Sequence, residues 1–422
     1  MAAVTLSLHV ISIVAGKGLH TYFNVALGAD FLAFYTGGNF FNEGILEQIY
    51  DIGYIHKGYT IPPEVYFPNQ FSFQRDLIGP DFTNHSPFIN PPYAALLYAP
   101  FALLDYVPAY LLWIFFNLFL LFVSTRLIRQ ELSQLQKIPL YKLYLCCFLF
   151  FPTIACFLYG QATPIILLLY SLCYISLRKG NDLTAGFCLG LLAFKPQLAV
   201  GIALILILKW RWKSLIGGML SVSLTLGIGL VFMPTEMQAY LLISSKLLDF
   251  LRSTDYPTWG IDSYFGFSVL LFDFISPILA NIVTITLSIG TLILLFFLWH
   301  KNTWLEDKRI WDISMAITFC WGILISPHLF YYDLMLLLLP VAIVIQHLPW
   351  IYERNNKILL WTTILWIITY LGSQMSSSQL KILSYFHLPE VAFQLITPFV
   401  FYWGYTVYKL VQIEHDHSKT SS

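Results

Sequence analysis

Charge is scarce in this chain. Only 11% of its 422 residues are Asp, Glu, Lys or Arg, against about 25% in a soluble globular domain. With 58% hydrophobic residues and a mean hydropathy of +0.69, it cannot cover itself with polar surface. Water is not its main solvent. The 23 basic and 23 acidic residues cancel, and no basic block or RNA-binding motif stands out, so nothing points to nucleic acid as a partner. Cysteine is sparse as well. Cys146, Cys147, Cys156, Cys173, Cys188 and Cys320 all lie inside apolar runs, where neither a disulfide framework nor a metal cage is expected. They read as small, soft core residues, and no motif asks for a metal or a cofactor.

What the chain has in quantity is apolar runs longer than about 18 residues, the length that crosses a bilayer. Spans are expected over 2–16, 107–127, 144–159, 164–177, 215–232, 278–299, 311–325, 332–346, 359–371 and 391–411. The first is short, and it lacks the basic leader and small-residue cleavage site of a signal peptide. The stretch 183–208 differs. Two apolar arms flank Lys195-Pro196-Gln197, and both outer ends are basic. Proline breaks a helix there, and basic flanks prefer the cytoplasm, so a V-shaped pair fits better than one kinked span. Sixteen of the 23 basic residues then fall on the cytoplasmic side, with both termini inside. The long loops, 17–92, 234–277 and the Ser-rich 372–390, face outward and are where a site is expected.

Loop 17–92 is not a linker. Apolar residues recur at helical spacing after Asp30, and Pro91-Pro92 leads into another short apolar segment. Two interfacial helices are expected, over 30–43 and 93–104. Ionisable groups near a bilayer are costly and become candidates by default. Asp30 is either a general base or simply the N-cap of the helix behind it, with Asp51 and Asp81 as competing carboxylates. Lys195, between its two arms, either snorkels or binds an anion such as a phosphate. Gln161 fits an interhelical hydrogen bond equally well. His328, in Ser326-Pro327-His328, ends a span on the external side, with Tyr331, Tyr332 and Asp333 behind it; His85 is a loop residue with weaker claims.

In this order the landmarks resemble the GT-C superfamily of integral-membrane glycosyltransferases. Within it they resemble glycosyltransferase family 87, the polyprenol-phosphate-mannose-dependent mannosyltransferases. The matching elements are Asp30-Phe31 with Tyr35, Ile49-Tyr50-Asp51, Asn90-Pro91-Pro92-Tyr93 with Ala99-Pro100, and Gly160-Gln161. Ala185-Gly186, Lys195-Pro196-Gln197, the basic-aromatic stretch 209–213 and Ser326-Pro327-His328 follow. The resemblance spans residues 20–345, leaving the last two spans generic. It implies an all-α polytopic membrane protein, a single domain over 1–422 with about 10–12 transmembrane helices. It further implies an inverting transfer of a hexose, mannose being the family's best-known donor sugar, from a polyprenyl-phosphate carrier to a lipid or glycan acceptor on the external, periplasmic face of the inner membrane. Asp30 would be the base and Lys195 and His328 the phosphate ligands, with Gln161, Tyr35, Asn90 and His85 lining the substrates. Two departures stand out: the short first helix, which points to a start upstream of Met1, and the lack of a paired Asp-Asp or Asp-Glu after it, which argues against an obligatory metal.

Two other classes compete. A transporter would place polar groups at the midplane within internal repeats, and no repeat is visible. A ligase or polymerase of lipid-diphosphate glycans would need several external arginines, whereas only Arg75 and Arg252 qualify.

Overall fold

The computed structural model describes residues 2–22, 25–50, 67–83, 86–244, 250–252, 256–301, 304–388 and 391–420. Asp51 and His85 lie outside the described residues. Among the described residues the chain is helical throughout, with isolated bridges at His20–Ala26 and Ile261–Phe330 as its β pairing. The protein is an all-α polytopic membrane protein. Among the described residues, four helices are long and apolar enough to cross a bilayer alone: Tyr106–Glu131, Trp212–Phe232, Pro277–Lys301 and Ile358–Tyr385. Two bent pairs raise that to six, Leu140–Cys147 with Phe151–Tyr159 at 74° and Asp333–Gln346 with Leu348–Arg354 at 76°.

The ten spans and a V read from hydropathy include shorter elements: Thr163–Arg178 and both arms of the V, Asp182–Phe194 and Pro196–Leu208, are apolar but below that length. Pro152 and Pro349 each sit in the first turn of the second helix of a bent pair, where proline starts a helix but cannot continue the one before. Conversely, Ile358–Tyr385 runs straight through Gly372 into the segment expected to be a loop. That glycine packs so closely on Ile396 that a Cβ would lie 2.5 Å from its side chain, which offsets the usual cost of glycine inside a helix.

The chain divides into two compact units. The first comprises Met1–Leu120, Ile154–Pro164 and Val222–Tyr256. Its centre is the helix Ala29–Asn42, buried without interruption from Phe31 to Gly38 and again at Phe40. Phe34 stacks flat on Tyr98 with ring centroids 4.4 Å apart. The second expected helix is broken into a single α turn, Ala95–Tyr98, between two 3-10 turns, Pro92–Ala94 and Phe101–Leu103. A further helix, Pro68–Ile78, escapes the sequence reading. Two fully buried glutamines fix it. Gln70 donates to the Ile49 carbonyl at 2.6 Å and accepts from the Phe88 amide at 2.7 Å. Gln74 donates to the Ser86 carbonyl at 2.7 Å and accepts from the Ser86 amide at 3.2 Å. Side-chain amides supply the partners that buried loop backbone would otherwise lack.

The second unit comprises Leu121–Thr153, Ile165–Ser221 and Pro257–Ser422. The helix Lys308–Leu324 runs through its interior, buried without interruption from Ile310 to Leu324. The stretch read as a V does double back: Asp182, at the head of its first arm, is ion-paired with Arg211, just past the end of its second. The first arm, Asp182–Gly190, lies against the start of Trp212–Phe232 through glycines. A Cβ on Gly186 would sit 1.7 Å from the Ser214 carbonyl oxygen, and one on Gly190 would sit 2.4 Å from that of Gly218. Small residues permit this approach where no hydrophobic drive exists between helices. Gly186→Ala should therefore cost about 1–3 kcal/mol through overpacking. Gly290→Ala, where nothing lies within 4 Å, should be neutral or stabilising by up to about 1 kcal/mol. Thermal unfolding of both variants in detergent checks this pair.

Candidate active site

In the second unit the helical hairpin breaks at Lys195, whose backbone (φ −138, ψ 63) lies between two 3-10 turns. Pro196 cannot continue the first arm and keeps Lys195 out of the helical region. The broken backbone remains satisfied: the Lys195 amide donates to the Leu192 carbonyl at 2.7 Å, and the Tyr170 hydroxyl donates to the Leu198 carbonyl. The side chain is 8% exposed, so it does not snorkel. Its Nζ lies 3.4 Å from both carboxylate oxygens of Asp333, which is itself fully buried. Charge-assisted bonds normally close to about 2.7–2.9 Å. This pair neutralises two buried charges without drawing them tight.

Asp333 was legible only in part, as an acid behind His328. An ionisable residue inside an apolar run is the signal that marks it. His328 follows the buried helix in the segment Ser326-Pro327-His328, half-buried, its amide donating to Ser326 Oγ at 3.3 Å and its ring 5.1 Å from that of Phe330. Burial, with the Lys195 ammonium nearby, holds the imidazole down at about 4, against the opposing pull of Asp333. It is neutral at pH 7 and offers a ring N–H, not a positive charge. The structure thus gathers Lys195 and His328 around one carboxylate, Asp333.

The other candidates lie in the first unit. Asp30 is half-buried in the first turn of Ala29–Asn42. The cap reading fails, because the N-cap is Gly28, in the left-handed conformation at φ 62 and with no side-chain cap. Only glycine fits: a Cβ there would lie 2.4 Å from the Tyr110 ring. A carboxylate in the first turn gains about 0.3–1 kcal/mol from the helix dipole. A cavity of about 90 Å³, lined by Ser12, Thr21, Val25, Ala26, Gly28, Ala29, Leu158 and Tyr159, adjoins the start of the helix.

Tyr35 is buried and donates its hydroxyl to the Leu104 carbonyl at 2.9 Å, its ring edge-on to Tyr106. Asn90 accepts the Tyr50 hydroxyl on its carbonyl at 2.6 Å. Gln161 is buried; its carbonyl accepts from Asn117, and its side chain accepts from the Ala162 amide. Its neighbour Gly160, at φ 72, turns so tightly under the Asp30 helix that a Cβ would lie 2.7 Å from that of Phe31. The Gly160-Gln161 motif therefore supports the helix start from below. Asp81 is exposed.

Lys195, Asp333 and His328 in the second unit, and Asp30 in the first, are thus the ionisable candidates of a helical membrane protein. Residues 88–327 match the sequence profile of glycosyltransferase family 87, and the chain belongs to that family. No curated protein and no solved structure gave a match. The matched segment includes Asn90, Gln161 and Lys195 and stops one residue short of His328; Asp30 and Tyr35 precede it.

The depressed His328 pKa carries a stability consequence. As pH falls from about 6.5, where an unfolded histidine takes up its proton, to about 4, where the folded one does, the unfolded state is favoured. Melting temperature should fall across that window, with a shallower slope in His328→Gln. Equal slopes would contradict the assignment.

Proposed function

We propose that this glycosyltransferase moves a hexose, mannose by its family resemblance, from a polyprenyl-phosphate carrier to a lipid or glycan acceptor. The distribution of basic residues supports a multi-pass protein of the inner membrane with cytoplasmic termini and transfer on the external face. The observation that carries the donor class is Lys195, a buried ammonium at the break of a helical hairpin, loosely held by Asp333. One cation and a neutral imidazole suit the single phosphate of a lipid monophosphate. A diphosphate calls for more cationic ligands.

The chemistry follows from these roles. Asp30 takes the acceptor hydroxyl's proton. The freed oxygen bonds to the anomeric carbon from the face opposite the phosphate, and the carbon–oxygen bond to the phosphate breaks. The electron pair leaves on a phosphate oxygen, whose charge Lys195 and the His328 N–H stabilise. A lipid phosphate is a good leaving group and needs no proton donor. Attack from the opposite face inverts the anomeric configuration.

Asp30→Asn should lower transfer by at least ~10²-fold with donor binding intact, while Asp81→Asn keeps most of the activity. Lys195→Ala should weaken donor binding much more than acceptor binding, and His328→Ala should do so more mildly. Initial rates and donor-analogue binding measure both. An Asp30→Asn enzyme working near the wild-type rate would end the base assignment. A bound analogue with its phosphate more than about 8 Å, roughly a Debye length, from both Lys195 and His328 would end the other.

A further inference from the structure

We propose that Asp262 is a positioning residue for transfer, holding the backbone that presents His328 with help from Ser373 and Gln394. The proposal rests on the reading that His328 acts on the donor phosphate.

Pro327 and His328 come after the buried helix has ended, and the segment behind them is fixed from elsewhere in the second unit. The Asp262 amide donates to the Leu329 carbonyl at 2.6 Å. Ile261 and Phe330 form an antiparallel bridge. Trp259 stacks on Tyr331 with centroids 6.1 Å apart and planes at 14°. Gly260 lets the Phe330 and Tyr331 rings approach, their atoms 3.0 and 3.1 Å from where its Cβ would stand. Residues 259–262 therefore run alongside 329–331 and set their register.

Those residues are themselves anchored through one carboxyl. Asp262 is fully buried, and each of its oxygens is engaged: Oδ1 accepts from Gln394 Nε2 at 2.8 Å and Oδ2 from Ser373 Oγ at 3.3 Å. Gln394 also donates to the Ile261 carbonyl, and Thr397 donates to the Gln394 side-chain oxygen and to the Ser263 carbonyl. A buried carboxyl held by neutral donors alone is costly. Here it joins residues 259–262, and through them the His328 segment, to the helix Ile358–Tyr385 and to the stretch ahead of Ile396–Thr420. A group that positions a catalytic partner acts through distance, and a displacement of about 1 Å can cost on the order of 10²-fold.

The test is a double-mutant cycle on full-length enzyme in lipid nanodiscs, with mannosyl polyprenyl phosphate as donor. Asp262→Asn should lower turnover by roughly 10- to 10²-fold with the acceptor KM unchanged. In the His328→Gln background the same substitution should add no further loss. Should Asp262→Asn fail to fold, Ser373→Ala, which removes one side-chain contact, is read in the same cycle with a smaller loss in the same pattern. An equal fold-loss in both backgrounds would mean that these groups merely hold the fold and would overturn the proposal. So would Asp262→Asn, or Ser373→Ala in its place, at the wild-type rate. His328→Gln transferring normally would instead remove the role of His328, and the positioning role with it.

Discussion

A helix broken inside apolar surroundings must find partners for its freed backbone groups and a counter-charge for any ion it exposes. At Lys195 both demands are met at once. The two 3-10 turns and the Tyr170 hydroxyl satisfy the backbone, and Asp333 balances the ammonium. A buried pair of this kind is weak evidence of stabilisation, since desolvation can equal the attraction between the charges. Under the proposed function it keeps a cation inside an apolar unit for an anionic ligand.

The same rule recurs wherever polar groups are enclosed. Asp312, buried in the helix Lys308–Leu324, receives Tyr174, Nε and Nη2 of Arg178, and His347 within 3.2 Å. Arg178 continues to Glu131, and Glu131 to Lys179. In the first unit Gln70 and Gln74 do with neutral amides what charged networks do in the second. Half-satisfied networks are costlier than apolar cores, so these residues determine which loops can approach which helices.

How much of this was readable follows from what each residue needs. The hairpin was legible because Lys-Pro-Gln between apolar arms with basic ends admits few solutions, and the Asp182–Arg211 pair closes it. The helix after Gly28 was legible from periodicity, but its cap was not, because a left-handed glycine leaves no side chain to recognise. Pro68–Ile78 was invisible: its fixing residues are glutamines, whose burial is decided by carbonyls in sequence-distant strands of loop. The expected span 144–159 missed a bend, because Pro152 turns that apolar run into two helices. Asp262 carries no local pattern, since its partners lie more than a hundred residues downstream. The last two apolar segments read as generic for the same reason, yet they supply Ser373 and Gln394.

The central claim is that a single buried lysine is matched to a lipid monophosphate. It is tested most directly by offering the reconstituted enzyme mannose linked to polyprenyl monophosphate, to polyprenyl diphosphate and to a nucleoside diphosphate, with native membrane lipids as acceptors, and determining the anomeric configuration of any product. Transfer from the monophosphate alone, with inversion, is the predicted result. Transfer from either diphosphate, or a product that retains the donor's configuration, would contradict the account.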